Sequence, residues 1–223
     1  MLKQITLFIF LTLLSVQTKS SYSLLPKSEA PKSVSNLATT LDINSEALSL
    51  AIKGFEKLKE QGLVNNMRYL TIIDFSKPSS ANRFYVIDMV NQQLVLQTLV
   101  AHGRKSGSVF ANTFSNQDAS FKSSLGFYLT ANTYFGKHGL TLQLQGLEKG
   151  INDRALERAI VLHGADYVSE AIAKQQGYIG TSLGCPAVPN DKINTIIETI
   201  QGASCMFVYA PSKEYLHKSP ILN

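Results

Sequence analysis

The sequence predicts a mainly β protein with a few helices, of the α+β class, in a single domain. Two observations support this class: short apolar segments separated by turn-forming residues recur along most of the chain, and only two segments space their apolar residues as a helix does. About 200 residues follow a short N-terminal segment, which is enough chain for one domain with a sizeable core.

The first helix is predicted over residues 44–62, with Asn44 or Ser45 as N-cap and Gly62 as the stop. A second is predicted over residues 191–200, where four isoleucines share one side. The predicted strands are residues 69–75, 83–90, 94–100, 126–133, 140–147, 159–162 and 205–209. We therefore expect a β-rich domain with an amphipathic helix at its N-terminal end.

The N-terminus has the pattern of a secretory signal peptide, with Lys3 before an apolar stretch at residues 5–14 and small polar residues after it. That stretch is about half of the ~20 residues that cross a bilayer, so a retained anchor is the less favoured alternative. We expect a signal peptide at 1–20, a flexible leader at 21–40 and a single folded domain at 41–223. The mature chain is then exported, to the periplasm or cell-wall space, without an integral membrane segment.

The formal charge of the chain is +5, of which Lys3 and Lys19 contribute two, so the mature protein carries +3. This mild excess fits ordinary solubility or a weak attraction to anionic wall polymers. Nucleic acid is not expected as a partner, because no cluster of Lys and Arg with interleaved aromatic residues occurs. Neither a Gly-rich phosphate loop nor a zinc-type Cys/His spacing occurs, so we expect no cofactor and no metal.

The two cysteines lie in different surroundings. Cys185 follows Gly184 in a polar turn, whereas Cys205 begins an apolar run at residues 205–210. A free, exposed thiol at the first and a buried thiol at the second is the favoured interpretation. A disulfide between them is the alternative, because exported proteins commonly contain disulfides.

A histidine at the end of a predicted strand gives Cys185 a possible base. His163 ends the apolar segment 159–162, and Gly164 lets the chain turn away there. A thiol with an ordinary pKa of ~8.5 is only slightly ionised at neutral pH, and an imidazole can take its proton. Glycines between the two residues allow the chain to fold back, so His163 and Cys185 are a candidate pair for acyl transfer.

The sequence resembles the L,D-transpeptidase catalytic domain, in the branch described as murein L,D-transpeptidase catalytic-domain-like. The resemblance rests on His163-Gly164 followed by Ser182-Leu183-Gly184-Cys185, and it extends over residues 70–210. Segments 102–104, 114–116, 123–128, 136–139 and 146–150 resemble the same branch. It implies a compact β-sandwich-like fold.

The resemblance also implies a reaction. A thiolate at Cys185 attacks a peptidoglycan stem tetrapeptide before its terminal D-alanine, with His163 as base, and an amine of a neighbouring stem completes a 3-3 cross-link. Water as acceptor would instead make the protein an L,D-carboxypeptidase. The N–H groups of Gly184 and Cys185 correspond to the oxyanion donors, the carbonyl of Gly164 orients the imidazole, and Ser182 fixes the turn.

The sequence departs from the commoner signature at Leu183, where His or Arg usually stands. His138 or Arg104 is the expected replacement for that basic side chain. His138, Tyr134 and Arg104 are also the candidates for substrate binding, although a turn histidine without that duty is as good an interpretation of His138. Protein partners are not indicated by the sequence.

Two other classes stay open. Papain-like peptidases usually place Cys before His along the chain, opposite to the order here, and a wall-binding protein without activity would have no need of the His163 and Cys185 pair.

Overall fold

The computed structural model describes residues 41–223, so the predicted signal peptide (1–20) and leader (21–40) lie outside the described residues. The mainly β class with a few helices is confirmed. Eight strands are formed: β1 (Tyr69–Asp74), β2 (Phe84–Asp88), β3 (Gln93–Thr98), β4 (Gly126–Gly136), β5 (Gly139–Gly146), β6 (Val161–Gly164), β7 (Ala187–Val188) and β8 (Cys205–Tyr209). Seven of these coincide with predicted strands, and only the two-residue β7 was missed.

Four helices lie in the described part of the chain: α1 (Ser45–Glu60), α2 (Glu170–Gln176), α3 (Ile193–Ile200) and α4 (Lys213–Lys218). The helices α1 and α3 were predicted. Between residues 41 and 223, no helix is both long and apolar enough to cross a bilayer.

One mixed sheet contains all eight strands, in the order β3-β2-β1-β8-β4-β5-β6-β7. Most neighbours are antiparallel, but β1 pairs with β8, and β6 with β7, in parallel. The sheet curls toward closure, because Ala101, which follows β3, forms a bridge with Ala187 of β7. The result is a barrel-like sheet with its two ends joined by this bridge.

The N-terminal helix α1 packs on β1 and β8 through an apolar side. Its first turn is capped by the side chain of Asn44, whose oxygen accepts from the N–H groups of Glu46 and Ala47 at 2.9 and 3.2 Å. Gly54 faces the ring of Phe127 so closely that a Cβ there would overlap the ring. The helix therefore seats close to the sheet only because residue 54 has no side chain.

Cys205 lies on β8 in the core and has no exposed surface. Both cysteines are free, so the disulfide alternative is excluded. Three strands separate β8 from β7 in the sheet order, which keeps Cys205 far from the turn that contains Cys185.

A buried carboxylate fastens the C-terminal helix to the barrel. Glu148 is fully buried and accepts from the Phe127 N–H at 2.7 Å, from the Tyr215 hydroxyl at 3.1 Å and from the Ser219 hydroxyl. No basic side chain among residues 41–223 hydrogen-bonds to it, and burial raises the pKa of this carboxyl. Glu148 therefore links the start of β4 to α4 through hydrogen bonds alone.

We expect Glu148→Ala to lower the free energy of unfolding by about 2–4 kcal/mol, because three buried donors lose their acceptor. Denaturant unfolding followed by circular dichroism measures the change. The matched control is Glu214→Ala, since Glu214 pairs with Lys218 on the exposed side of α4 and the unfolding midpoint should not move. Equal midpoints for both variants would show that Glu148 does not fasten α4.

Candidate active site

The imidazole of His163 is held in one orientation on β6. Its strand pairs in parallel with β7, so that His163 lies opposite Ala187, and only 4% of the residue is exposed. The ring nitrogen Nδ1 lies 2.9 Å from the carbonyl oxygen of Gly164. Because a carbonyl can only accept, Nδ1 carries the proton and Nε2 is left with a free lone pair. His163 is therefore set up to take a proton at Nε2.

The turn before β7 presents Cys185 and is closed by the side chain of Ser182. The Ser182 hydroxyl donates to the Cys185 carbonyl at 2.6 Å and accepts from the Gly184 N–H at 3.0 Å. Gly184 has φ +135°, which few residues with a side chain adopt. Ser182 and Gly184 together fix the shape of the turn.

A neighbouring loop holds the cysteine turn in place. The Ser182 N–H donates to the His102 carbonyl at 2.9 Å, and the Arg104 N–H donates back to the Ser182 carbonyl at 2.8 Å. The buried hydroxyl of Ser123 accepts from the Gly103 N–H and donates to the Gly184 carbonyl, both at 3.0 Å. The position of the thiol thus depends on contacts with residues 60 to 80 positions earlier in the chain.

The thiol of Cys185 rests against the carbonyl of Ala159, with Sγ 3.6 Å from the oxygen. Ala159 has φ +52°, the left-handed region that costs a non-glycine residue about 1 kcal/mol or more. Within residues 41–223, no hydrogen bond joins Sγ to the imidazole of His163. The thiol is therefore a donor to Ala159 in this resting arrangement, and proton transfer requires it to turn toward Nε2.

Burial moves both ionisable groups toward their neutral forms. Burial raises the pKa of the Cys185 thiol, although the Val161 N–H and the charge of Arg158 favour the thiolate. Burial lowers the pKa of His163, which the nearby His138 and Lys137 lower further and the Gly164 carbonyl raises. The resting pair at neutral pH is therefore a thiol and a neutral imidazole.

A cleft of about 380 Å³ opens beside this pair. It is lined by Lys137, His138, Gly164, Ala165, Asp166, Tyr167 and Asn190. The ring of His138 stacks on that of His163, with centroids 4.4 Å apart. The Asp166 carboxylate accepts from the side-chain amide of Asn190 at 2.5 Å. The cleft thus joins a cationic edge on the β4–β5 hairpin to an anionic edge after β6.

The sequence of this domain matches a family model, that of the L,D-transpeptidase catalytic domain, over residues 39–209. The chain belongs to the L,D-transpeptidase catalytic-domain family. The resemblance that rested on His163-Gly164 and the Gly184-Cys185 turn is thereby confirmed. No curated protein matches the sequence.

Solved structures of the family are similar to this chain at low sequence identity. An L,D-transpeptidase from Mycobacterium smegmatis is 12% identical over 64% of this chain and 59% of its own length, with a TM-score of 0.39. The helical cell shape determining protein Pgp2 from Campylobacter jejuni is 13% identical over 72% of this chain and 56% of its own, at TM-score 0.40. The L,D-transpeptidase (residues 123-326) from Xylanimonas cellulosilytica is 11% identical over 81% and 94%, at TM-score 0.37. This chain thus spans about three-fifths of the length of the first.

The three predicted substrate-binding residues, Arg104, Tyr134 and His138, lie at different distances from His163 and the Cys185 turn. The side chain of Arg104 lies over the ring of Phe121, 4.3 Å from its centroid, and only its backbone touches the cysteine turn. Tyr134 pairs with Thr141, which pairs with His163, so Tyr134 lies two strands, or about 10 Å, from the imidazole on the same face. His138 is the one of the three that contacts His163.

Two further observations refine the expected site. The Gly184 N–H is taken by Ser182, whereas the Cys185 N–H has no oxygen acceptor among residues 41–223. Arg158 lies beside Gly184, with one guanidinium nitrogen 3.6 Å from where a Cβ of Gly184 would stand. Sequence reasoning passed over Arg158; its position three residues before the strand that carries His163 was the available signal.

We expect Cys185 to be alkylated at least about 10³-fold faster than Cys205 in the folded protein. Cys185 is partly exposed in its turn, whereas Cys205 is buried and becomes accessible only when β8 opens, at a cost close to the ~5 kcal/mol or more of global unfolding. Iodoacetamide labelling with peptide mass mapping measures both rates. Cys185→Ala is the control and should remove the fast phase; similar rates for the two thiols would contradict the assignment.

Proposed function

We propose that the protein is an exported cysteine acyltransferase that acts on peptidoglycan stem tetrapeptides, with Cys185 as nucleophile and His163 as general base. The observation that carries this proposal is the β6–β7 pairing, which puts an imidazole with a free Nε2 next to the turn of a free thiol. Family membership supports the substrate class.

The acyl step follows from these two groups. Nε2 of His163 takes the thiol proton, and Sγ of Cys185 adds to the carbonyl carbon before the terminal D-alanine. The amide bond then breaks, a thioester to Cys185 remains, and D-alanine leaves with the proton that His163 returns. Because both groups start neutral, proton transfer and attack are coupled as general-base catalysis rather than by a preformed ion pair.

The oxyanion of the intermediate needs donors that are free in the resting site. The Cys185 N–H meets this condition, while the Gly184 N–H does so only if Ser182 releases it. Ser182 and Gly164 act as orienting residues in this proposal, the first on the turn and the second on the imidazole.

The cleft beside His163 is the proposed stem-peptide site. Lys137 on the hairpin offers positive charge to the terminal carboxylate of the tetrapeptide, His138 offers a ring N–H as a hydrogen-bond donor, and Asp166 faces the same space. Tyr134 extends this surface along the sheet, and Arg104 borders the cysteine turn from the other side. The acceptor would be the side-chain amine of a neighbouring stem, which gives a 3-3 cross-link. Export, on the pattern of residues 1–20, would bring the protein to the wall.

We expect Cys185→Ser to abolish release of D-alanine from a stem tetrapeptide, and His163→Ala to slow formation of the acyl-enzyme by about 10²-fold or more, the scale of a lost general base. Intact-protein mass spectrometry detects the acyl adduct, and the products show dimer or tripeptide. Dimer supports transpeptidation, and tripeptide alone supports the L,D-carboxypeptidase.

Cys205→Ala is the matched control for these variants. It should keep wild-type turnover and lose about 1 kcal/mol or so of stability for a small cavity. Wild-type release of D-alanine by Cys185→Ser would overturn the cysteine mechanism and favour a wall-binding protein.

We expect the acid limb of the pH profile of kcat/KM to fall with an inflection below pH 6.5, because burial lowers the pKa of His163 from that value. A base acts in its neutral form, so a lowered pKa extends activity toward acid. His138→Gln should move the inflection upward, since the charge of His138 disfavours protonation of His163. Acyl-enzyme formation across pH measures both; an inflection above 6.5 in the wild type would contradict the buried-base assignment.

A further inference from the structure

The family signature usually has a basic side chain before the Gly-Cys pair, and this chain has Leu183 there. Leu183 is 57% exposed and points no charge at the thiol. Arg158, from the turn before β6, instead lies against the backbone of Gly184, with a guanidinium nitrogen 3.6 Å from the Cβ position of that glycine. A cation therefore reaches the cysteine turn from a different part of the chain.

The guanidinium of Arg158 is fixed by hydrogen bonds to one segment, residues 115–124. One terminal nitrogen donates to the Ser115 carbonyl at 2.9 Å and to the Ser124 hydroxyl at 2.6 Å. The other donates to the Lys122 carbonyl at 2.9 Å and to the Ser120 hydroxyl at 3.3 Å. These bonds use all four hydrogens of the two terminal nitrogens, so these nitrogens have no hydrogen left to donate to a substrate carboxylate.

The charge of Arg158 is not neutralised by these contacts. All four acceptors are uncharged carbonyls or hydroxyls, and no carboxylate of residues 41–223 forms a salt bridge with it. The side chain is half-buried, so its field is less screened than that of an exposed cation. A fixed, unpaired positive charge beside a thiol favours the anionic form of sulfur.

We propose that Arg158 is a positioning residue of this site, which supplies the positive charge beside Cys185 that a basic residue at position 183 would otherwise supply. Arg158 acts by stabilising the thiolate of Cys185 and does not touch substrate. Ala159, the next residue, accepts from the resting thiol through its carbonyl, so residues 158 and 159 bring an acceptor to the thiol and a cation to the neighbouring Gly184.

Four ionisable groups surround the thiol, and their locations single out Arg158. Lys137 also favours the thiolate, but it is exposed on the β4–β5 hairpin and screened by solvent. His163 is neutral at rest, and Tyr167, whose pKa burial raises to about 12, stays neutral at physiological pH. Burial lowers the pKa of the Arg158 guanidinium, whereas Tyr128, Cys185 and Asp118 raise it, so Cys185 is one of three groups that favour its charged form.

The inference rests on the proposed role of Cys185 as nucleophile, but its test measures the reactivity of the Cys185 thiol and not turnover. The rate of Cys185 alkylation by iodoacetamide is measured against pH for the wild type, Arg158→Gln, Arg158→Lys and the control Arg154→Gln. Arg154 lies in the same turn as Arg158, but it is paired with Glu157 at 2.7 Å. Circular dichroism and thermal unfolding monitor the fold of each variant.

We expect Arg158→Gln to move the inflection of the Cys185 alkylation rate upward by about one pH unit, and to slow alkylation at pH 7 by about tenfold. Arg158→Lys should stay within a few tenths of a pH unit of the wild type, and Arg154→Gln should match it. Leu183→Arg in the Arg158→Gln background should restore most of the rate. An unchanged profile for folded Arg158→Gln overturns the proposal.

Arg158→Lys decides the matter if Arg158→Gln does not fold. Lysine keeps the charge but cannot span the four acceptors. If the pH profile of alkylation for Arg158→Lys matches the wild type, the positive charge is what matters. If its inflection rises by about one pH unit, the hydrogen bonds of Arg158 are what matter, and the proposal is overturned. A protein with the expected profiles but no action on tetrapeptides would reject the proposed function and leave the role of Arg158 standing.

Discussion

The parallel pairing of β6 with the two-residue strand β7 is the interaction on which the rest of this site depends. It brings His163 opposite Ala187, two positions after Cys185, and the bridge from Ala187 to Ala101 closes the barrel at the same point. So short a strand has little stability of its own. Its place is set from outside, by the loop that holds Ser182 and by Ser123. The same strand β7 therefore closes the barrel and positions the residues of the site.

The site combines neutral reacting groups with fixed charges around them. The thiol and the imidazole are both shifted toward their uncharged forms by burial, while Arg158, Lys137 and His138 lie close by. Such an arrangement stabilises a thiolate when it forms, while the resting protein holds a neutral thiol. The free thiol is thereby less reactive toward adventitious electrophiles than a preformed thiolate would be.

The sequence was sufficient for those features that are encoded locally. Seven strands and two helices follow from apolar spacing, and the candidate pair of His163 and Cys185 follows from two short motifs. The sequence did not reveal features that depend on long-range contacts. Arg158 is held beside Gly184 by hydrogen bonds to the segment 115–124, and β7 is too short to show a periodicity. His102, close to the expected cation Arg104, is a buried support whose ring nitrogen lies 2.7 Å from Arg83.

The position of Cys205 has a consequence for how the chain folds wherever its thiols can be oxidised. Three strands lie between β8 and β7 in a sheet whose ends are joined, so the two cysteines belong to opposite sides of the barrel and both are free. A disulfide would need their Cα atoms within about 4–7 Å of each other. In the unfolded chain only 19 residues separate them, and a bond can form there. Once made, it prevents β8 from entering the centre of the sheet. Under such conditions folding must be faster than disulfide formation, because burial of Cys205 in the native state keeps its thiol from bonding to that of Cys185.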